Sequence, residues 1–245
     1  MRILTFSIVC LAFVFSCKKQ ENRTCYKSIG DESIQERSLE SFSLLDLGPH
    51  LRYVLVQDTV NKVLISGGKN LLNFIETNVS DDKLTIVNKN KCNFLRKLNH
   101  VIVVEIHFKE IINIYSESTE EVFCESLTTD YLTIAMRDGV GTMKLNINVI
   151  SINVVVSHGW GNFELTGDAN YAKFIIRSNG FGDANGLIVN DSIHAISNSS
   201  EYFEINASNC ILRSQTHENG DIWYVGVPSQ LEHFSYGSGL LIDKN

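Results

Sequence analysis

Apolar and polar residues trade places at every second position along most of this chain. Met143-Lys144-Leu145-Asn146-Ile147-Asn148-Val149 shows the pattern, and Asn162-Phe163-Glu164-Leu165-Thr166 repeats it. A period of two gives each strand one face for a core and one for water. Read this way, the first half yields strands at 42–47, 51–56, 62–66, 73–79, 83–87, 101–106 and 111–115. Gly48-Pro49, Gly67-Gly68 and Ser80-Asp81-Asp82 separate neighbouring runs with turn chemistry. The stretch 70–75 has room for a short helical turn, and no longer amphipathic helix is predicted.

From about residue 111 the strands fall into a repeat. Its marker is a glycine turn: Gly139-Val140-Gly141, Gly159-Trp160-Gly161, Gly180-Phe181-Gly182 and Gly237-Ser238-Gly239. Ser200-Glu201-Tyr202 and Glu218-Asn219-Gly220 hold the same place with fewer glycines. The turns recur about every 20 residues, a spacing that marks repeat architectures. Each unit reads turn, strand, short turn, strand. A lone unit cannot bury its apolar side, whereas stacked units share one long core. Glycine suits a sharp corner that needs positive φ. The predicted fold class is all-β: a β-helix-like solenoid of stacked short strands with Gly-x-Gly turns. A β-sandwich is the alternative.

The N-terminus changes the picture. Arg2 is followed by an apolar run over 3–15 that ends at Ser16-Cys17. Such a run is short for a bilayer span and has the form of a signal peptide. A small residue before Cys resembles a bacterial lipoprotein cleavage site, which makes Cys17 the lipidated first residue. An ordinary secretory signal cut nearby is the alternative. The expected organisation is a signal peptide over 1–16, a lipidated polar tether over 17–37 and a single β domain over 38–245. The membrane is then a partner through the lipid, and the expected location is the cell envelope, as an outer-membrane lipoprotein. Lys18-Lys19 lacks an acidic leader, which favours the periplasmic face over the surface.

Removing the signal leaves about 230 residues, enough for one sizeable core. The chain has a formal net charge of −7 and two prolines. No basic cluster marks a nucleic-acid footprint. Four cysteines follow Cys17: Cys25, Cys92, Cys124 and Cys210. None lies in a C-x-x-C motif, which speaks against zinc and thiol-redox chemistry. Cys124 and Cys210 sit in apolar strand contexts and read as buried small hydrophobes. Cys25 and Cys92 sit in polar segments and are the disulfide candidates.

The tail Asn219-Gly220-Asp221-Ile222-Trp223-Tyr224-Val225-Gly226-Val227-Pro228, followed by Tyr236-Gly237-Ser238-Gly239, resembles the C-terminal signature of the putative auto-transporter adhesin, head GIN domain family. Gly180-Phe181-Gly182-Asp183 is similar to its internal repeat, and the runs 62–71 and 82–86 look like its opening strands. Residues 90–96 and the Ser-Cys-Lys-Lys start resemble Bacteroidota lipoproteins. The resemblance covers about residues 38–242. It implies a right-handed β-helical domain on envelope proteins and no established activity. In that family the residue between the glycines is commonly Ser, whereas here Val140, Trp160 and Phe181 occupy it. Stacked turns would align these three in an apolar ladder, a candidate contact surface for glycan or an envelope protein. Alternatively they fold over the turn and cover a neighbouring strand.

Catalytic chemistry is sparse. The seven histidines show no H-E-x-x-H and no metal-ligand spacing. His100 and His107 read as surface residues, and His158 and His217 as polar corner residues. G-x-S-x-G and phosphate-loop sequences are absent. Asp168, Asp183 and Asp221 follow glycine turns and read as caps of backbone amides. The nine-residue calcium β-roll pattern is missing. No cofactor or metal is expected. The functional reading is a non-enzymatic envelope lipoprotein that presents a rigid surface for binding or adhesion. The alternative is a polysaccharide-degrading β-helix, which would gather carboxylates in a groove.

Overall fold

The structure, a computed structural model, describes residues 28–91 and 101–245. These residues wind into a β-solenoid of about seven turns. The strands are β1 (Glu32–Ser38), β2 (Leu44–Leu47), β3 (Arg52–Gln57), β4 (Lys62–Gly68), β5 (Ile75–Ser80), β6 (Lys83–Asn88), β7 (Val103–Phe108) and β8 (Asn113–Ser116). Four long strands follow: β9 (Val122–Arg137), β10 (Thr142–Ser157), β11 (Asn162–Ser178) and β12 (Phe181–Ser199). The last coils are β13 (Phe203–Asn206), β14 (Ile211–Thr216), β15 (Ile222–Val225), β16 (Gln230–Ser235) and β17 (Leu241–Asp243). One helical turn, α1 (Lys69–Leu72), falls inside the stretch where a helical turn had room.

The strands build two facing walls. Each long strand serves both, because its halves pair with different neighbours: the start of β9 lies beside β3 and its end beside β8. The bend is written in the sequence as a slip in the alternation. Val149 and Ile152 are both buried with Ile150 and Ser151 between them, and Ala169 and Ala172 flank Asn170-Tyr171 in the same way. Two successive outward residues turn the chain, and the period of two resumes on the opposite wall. Phe163 on one half of β11 then stacks on Phe174 of the other half, with ring centroids 5.8 Å apart. Phe203 joins them at 6.1 Å from Phe174. The interior is thus filled by side chains.

The first wall runs β5, β6, β2, β8, the second halves of β9 to β12, then β14 and β16. The second runs β1, β4, β7, β3, the first halves of β9 to β12, then β13, β15 and β17. Pairing along the solenoid is parallel except at its beginning, where β1–β4, β4–β7 and β5–β6 are antiparallel and form a cap. Asp81 and Asp82 both take positive φ (52° and 61°), the geometry of a tight hairpin turn. Arg37 ties the cap together: its guanidinium donates to the carbonyls of Ile75 and Leu72, to Thr77 Oγ1 and to Gln35 Oε1.

The coils are not laid in chain order. β2 and β3 lie between the β6–β7 coil and the coil of β8 and early β9. The segment 109–112 therefore steps over a coil already in place. Gln57 pins the crossing: its amide nitrogen donates to the Lys109 and Thr128 carbonyls, and its oxygen accepts from Thr128 N at 2.8 Å.

The turn glycines are required for a reason other than the expected one. Among those singled out, only Gly159 has positive φ, at 84°. At the corners the left-handed positions fall to Asp138, His158 and Ser178. Close approach explains most of the glycines. A Cβ on Gly141 would lie 2.1 Å from the Glu120 carbonyl oxygen of the preceding coil, and one on Gly220 would lie 2.1 Å from that of Glu201. Gly139, Gly237 and Gly239 meet carbonyls at 2.4 Å in the same way, whereas Gly161 and Gly180 face the Val156 side chain. Gly182 is not a turn residue. It lies in β12, and a Cβ there would sit 2.3 Å from the Phe163 ring.

Inward polar residues appear in the last coils. Met136, Val156 and Ile176 are level with Ser197, Thr216 and Ser235. A buried hydroxyl is costly unless bonded. Ser197 donates to the Gly220 carbonyl at 2.9 Å and Thr216 to that of Gly239 at 2.8 Å, so these hydroxyls fasten the corners from inside.

Gly182→Ala pushes a methyl group into the Phe163 ring. It is expected to lower the unfolding free energy by about 1–3 kcal/mol, the usual cost of overpacking a filled core. A denaturant melt with an unchanged midpoint would contradict the packing described.

Candidate contact surface

The expected ladder of Val140, Trp160 and Phe181 does not form. Asn162 pairs with Phe181, so counting back one corner sets Trp160 level with Asn179. The cause is a coil one residue shorter: Thr142 to Asn162 is 20 residues, and Asn162 to Phe181 is 19. The corner column therefore reads Val140, Trp160, Asn179, Ser200, Asn219 and Ser238. Its polar members bond along the column: Ser200 Oγ donates to Asn179 Oδ1 at 2.8 Å, and Ser238 Oγ to Asn219 Oδ1 at 2.7 Å. Val140 and Trp160 are exposed at 59% and 51%. Phe181 lies on the second wall, half-buried.

A different aromatic line replaces the ladder. Gly182 pairs with Phe203, which puts Tyr202 level with Phe181 on the next coil. Glu204 pairs with Trp223 one coil further. Trp160, Phe181, Tyr202 and Trp223 thus recur every 21 residues on a coil of 19–21, and they drift diagonally from the corner onto the outer face of the second wall. Tyr202 and Trp223 stack, with ring centroids 3.8 Å apart and planes 14° apart. Lys244 Nζ sits 3.7 Å from the Trp223 centroid, a cation–π contact. Tyr202 and Trp223 were absent from the sequence-based contact residues, although the regular spacing of the four aromatics is visible in the sequence.

Carboxylates border the line. Glu164, Asp183 and Glu204 are level on adjacent strands. Lys144 Nζ lies 3.0 Å from Glu164, and the Asn185 amide donates to Glu204 Oε2. Asp183 Oδ1 accepts from Asn185 N at 2.7 Å and Asp221 Oδ1 from Leu240 N at 2.8 Å, so both cap backbone amides as expected. The column stands on an outer strand face; Glu164 borders a shallow, open depression lined also by Phe123, Glu125 and Lys144, and Asp183 and Glu204 lie outside it. Among the described residues no cluster of His, Cys, Asp and Glu is arranged to hold a metal ion.

Cys124 and Cys210 are buried free thiols, and desolvation raises Cys124 to about 11. Cys17, Cys25, Cys92 and His100 lie outside the described residues. His107 is not a surface residue: its side chain is 13% exposed and bridges Asp58 at 2.9 Å and Glu105 at 2.7 Å. His158 holds a left-handed corner position, and His217 stacks on Tyr236 at 4.8 Å. Two other histidines are perturbed. Burial lowers His194, helped by Lys173 and Arg213 on the adjoining strands, and burial lowers His233.

This geometry defines a class: a packed β-solenoid whose outer walls present columns of side chains at fixed spacing. The chain belongs to the family described as "putative auto-transporter adhesin, head GIN domain", whose profile matches residues 41–228. It resembles a solved "putative adhesin" of Bacteroides fragilis NCTC 9343 with 21% identity, a TM-score of 0.76, and coverage of 87% of this chain and 97% of that one. A "putative adhesin" of Parabacteroides distasonis ATCC 8503 shares 19% identity over 87% of this chain and 97% of its own, with a TM-score of 0.66. A "putative lipid binding protein" of the same strain shares 17% identity over 88% and 98%, with a TM-score of 0.58. At these identities the likeness is one of fold. Among curated proteins none matches the chain.

The two lowered histidines set a pH dependence. A histidine whose folded value lies below 6.5 binds its proton more weakly folded than unfolded, so its stabilising share is whole above about pH 6.5 and lost as pH falls below it. Melting temperature is expected to drop between about pH 7 and about pH 5. Replacing His194 and His233 by Gln should flatten that drop. An equally steep drop in the double variant would contradict the assignment.

Proposed function

We propose that this protein is a non-enzymatic, lipid-anchored envelope protein that binds glycan through the aromatic line on its second wall. The observation that carries the reading is the Tyr202–Trp223 stack, in which Tyr202 is 42% exposed and the half-buried Trp223 backs it, flanked by Asn185, Glu204 and Lys244. Aromatic faces offer apolar area beside polar groups that can bond hydroxyls. The neighbouring carboxylates and the net charge of −7 disfavour polyanionic chains, so the ligand class is a neutral or amine-bearing glycan. Membership of a family described as adhesins supports a binding role. One relative is called a lipid-binding protein. The filled interior around Phe163, Phe174 and Phe203 favours the outer wall over the core as the binding surface.

On a glycan array, the protein is expected to retain neutral or amino sugars and to pass over uronic-acid polymers. Tyr202→Ala with Trp223→Ala should weaken binding by roughly 10-fold or more, as loss of a central aromatic anchor does. A thermal melt of the same double variant is the folding control, and its cooperative transition is expected to persist. Full retention by the double variant would overturn the site. Absence of any glycan signal, with an envelope protein captured instead, would overturn the ligand class.

The anchor is tested separately. Several acyl chains hold a protein to a membrane firmly, whereas a protein without them leaves it. Cys17→Ser is expected to move the protein out of the detergent phase or leave it unprocessed. Unchanged partitioning would rule out Cys17 as the lipid site.

A further inference from the structure

The two ends of the solenoid differ. The beginning is closed by the antiparallel cap, and its outermost strand β1 carries Glu32 and Glu36, charges of the kind that guard a sheet edge. Both ends leave two strands paired on one side only, β1 and β5 at the beginning and β16 and β17 at the other; at the beginning α1 buries Leu71 and Leu72 against the core, and among the described residues nothing does the same at the other end. Tyr236 N donates to the Thr216 carbonyl and Lys244 N to that of Tyr224. In a parallel ladder alternate residues bond to opposite sides. The amides and carbonyls of Leu231, His233, Ser235, Leu241 and Asp243 therefore point to the open edge.

The side chains at this end are also unfinished. Leu231 stands level with Leu212, which is fully buried, yet Leu231 is 48% exposed. Leu241 likewise continues the column of buried Ile222. Phe234, Tyr236 and Leu240 are exposed around the rim. Glu232, the one acid in β16, is paired with Arg213 at 3.3 Å.

We propose that this open end joins a second copy of the chain, end to end, by antiparallel strand pairing about a two-fold axis. Four features select that occupant. The two walls present two edges at one end, and a two-fold axis satisfies both at once, where a single extended peptide serves one. A second copy brings Leu231 and Leu241 to meet their counterparts and so continues the core across the seam. One coil offers 19 residues by the Ile211–Gln230 step, close to the roughly 20 a side of a specific interface. The capped, charged opposite end stops growth, so the assembly closes at two. Given the lipid anchor proposed above, the tether enters at the capped end, and tip-to-tip pairing would join copies on facing surfaces.

The test is sedimentation velocity on the full chain in detergent, with two variants. His233→Pro removes an edge N–H without taking one from the β14 ladder, a place where a sheet tolerates proline. Leu231→Lys leaves the backbone intact and puts a charge into the seam. The parent chain is expected to sediment as an elongated dimer, and each variant to dissociate at least about 10-fold more readily. A parent that stays monomeric at about 100 times the micromolar range typical of weak pairs would overturn the proposal. So would a dimer that survives Leu231→Lys with its melting temperature unchanged. Because the readout needs neither glycan nor acyl chain, it stands apart from the binding and anchoring tests.

Discussion

Strand spacing governs this molecule. Neighbouring coils must lie about 4.8 Å apart for their backbones to bond, and every corner has to respect that distance. The corner carbonyls of one coil then stand where the next coil's side chains would begin. The Glu120 oxygen occupies the place of a Gly141 Cβ, and the Glu201 oxygen that of a Gly220 Cβ. Glycine at the corner is a consequence of stacking rather than of a strained turn. The same constraint sends the inward hydroxyls of Ser197 and Thr216 to the corner carbonyls, and it fixes which outer residues become neighbours.

Much of this was legible in the chain. Alternation marked the strands and the recurring glycines marked the corners, while the slip at Ile150-Ser151 shows as a bend only once the two walls are seen. What escaped was register. Phe181 appeared to repeat Trp160 because both follow a glycine, but the coil between them is a residue short and Phe181 lands on the wall beside Asn162. Gly182 appeared to close a turn, whereas it leaves room for the Phe163 ring. The coil of β2 and β3 was hidden for another reason. Its partners lie 51 and 69 residues away, at Arg52–Val103 and Tyr53–Val122, and no local pattern encodes such pairing. His107 looked like a surface residue because its partner Asp58 lies on a distant segment.

The functional picture follows from the same stacking. A wall of level strands turns a spacing in sequence into a line in space, and a spacing slightly longer than the coil turns it into a diagonal. Tyr202 and Trp223 meet face to face because 21 residues exceed the local coil by two. The walls also carry the carboxylate column and Tyr171 at a bend, so the surface is rich in fixed side chains, and its depressions, around Phe123 and Glu125, are open ones. That suits recognition of an extended partner better than chemistry on a small one. The unequal ends add direction, with a capped coil at β1 and β5 and exposed apolar side chains at β16 and β17.

Coil register is the claim on which the rest stands, and disulfide trapping reads it directly. Residues level on adjacent strands have Cα separations within the range a disulfide can bridge. Cysteines placed at Asn162 and Phe181 are expected to bond on mild oxidation, and cysteines at Trp160 and Phe181 to remain free. Bonding of the second pair in place of the first would mean that the glycine turns stack as they appear in the sequence, and the register described here, with its diagonal step from Trp160 to Phe181, would be wrong.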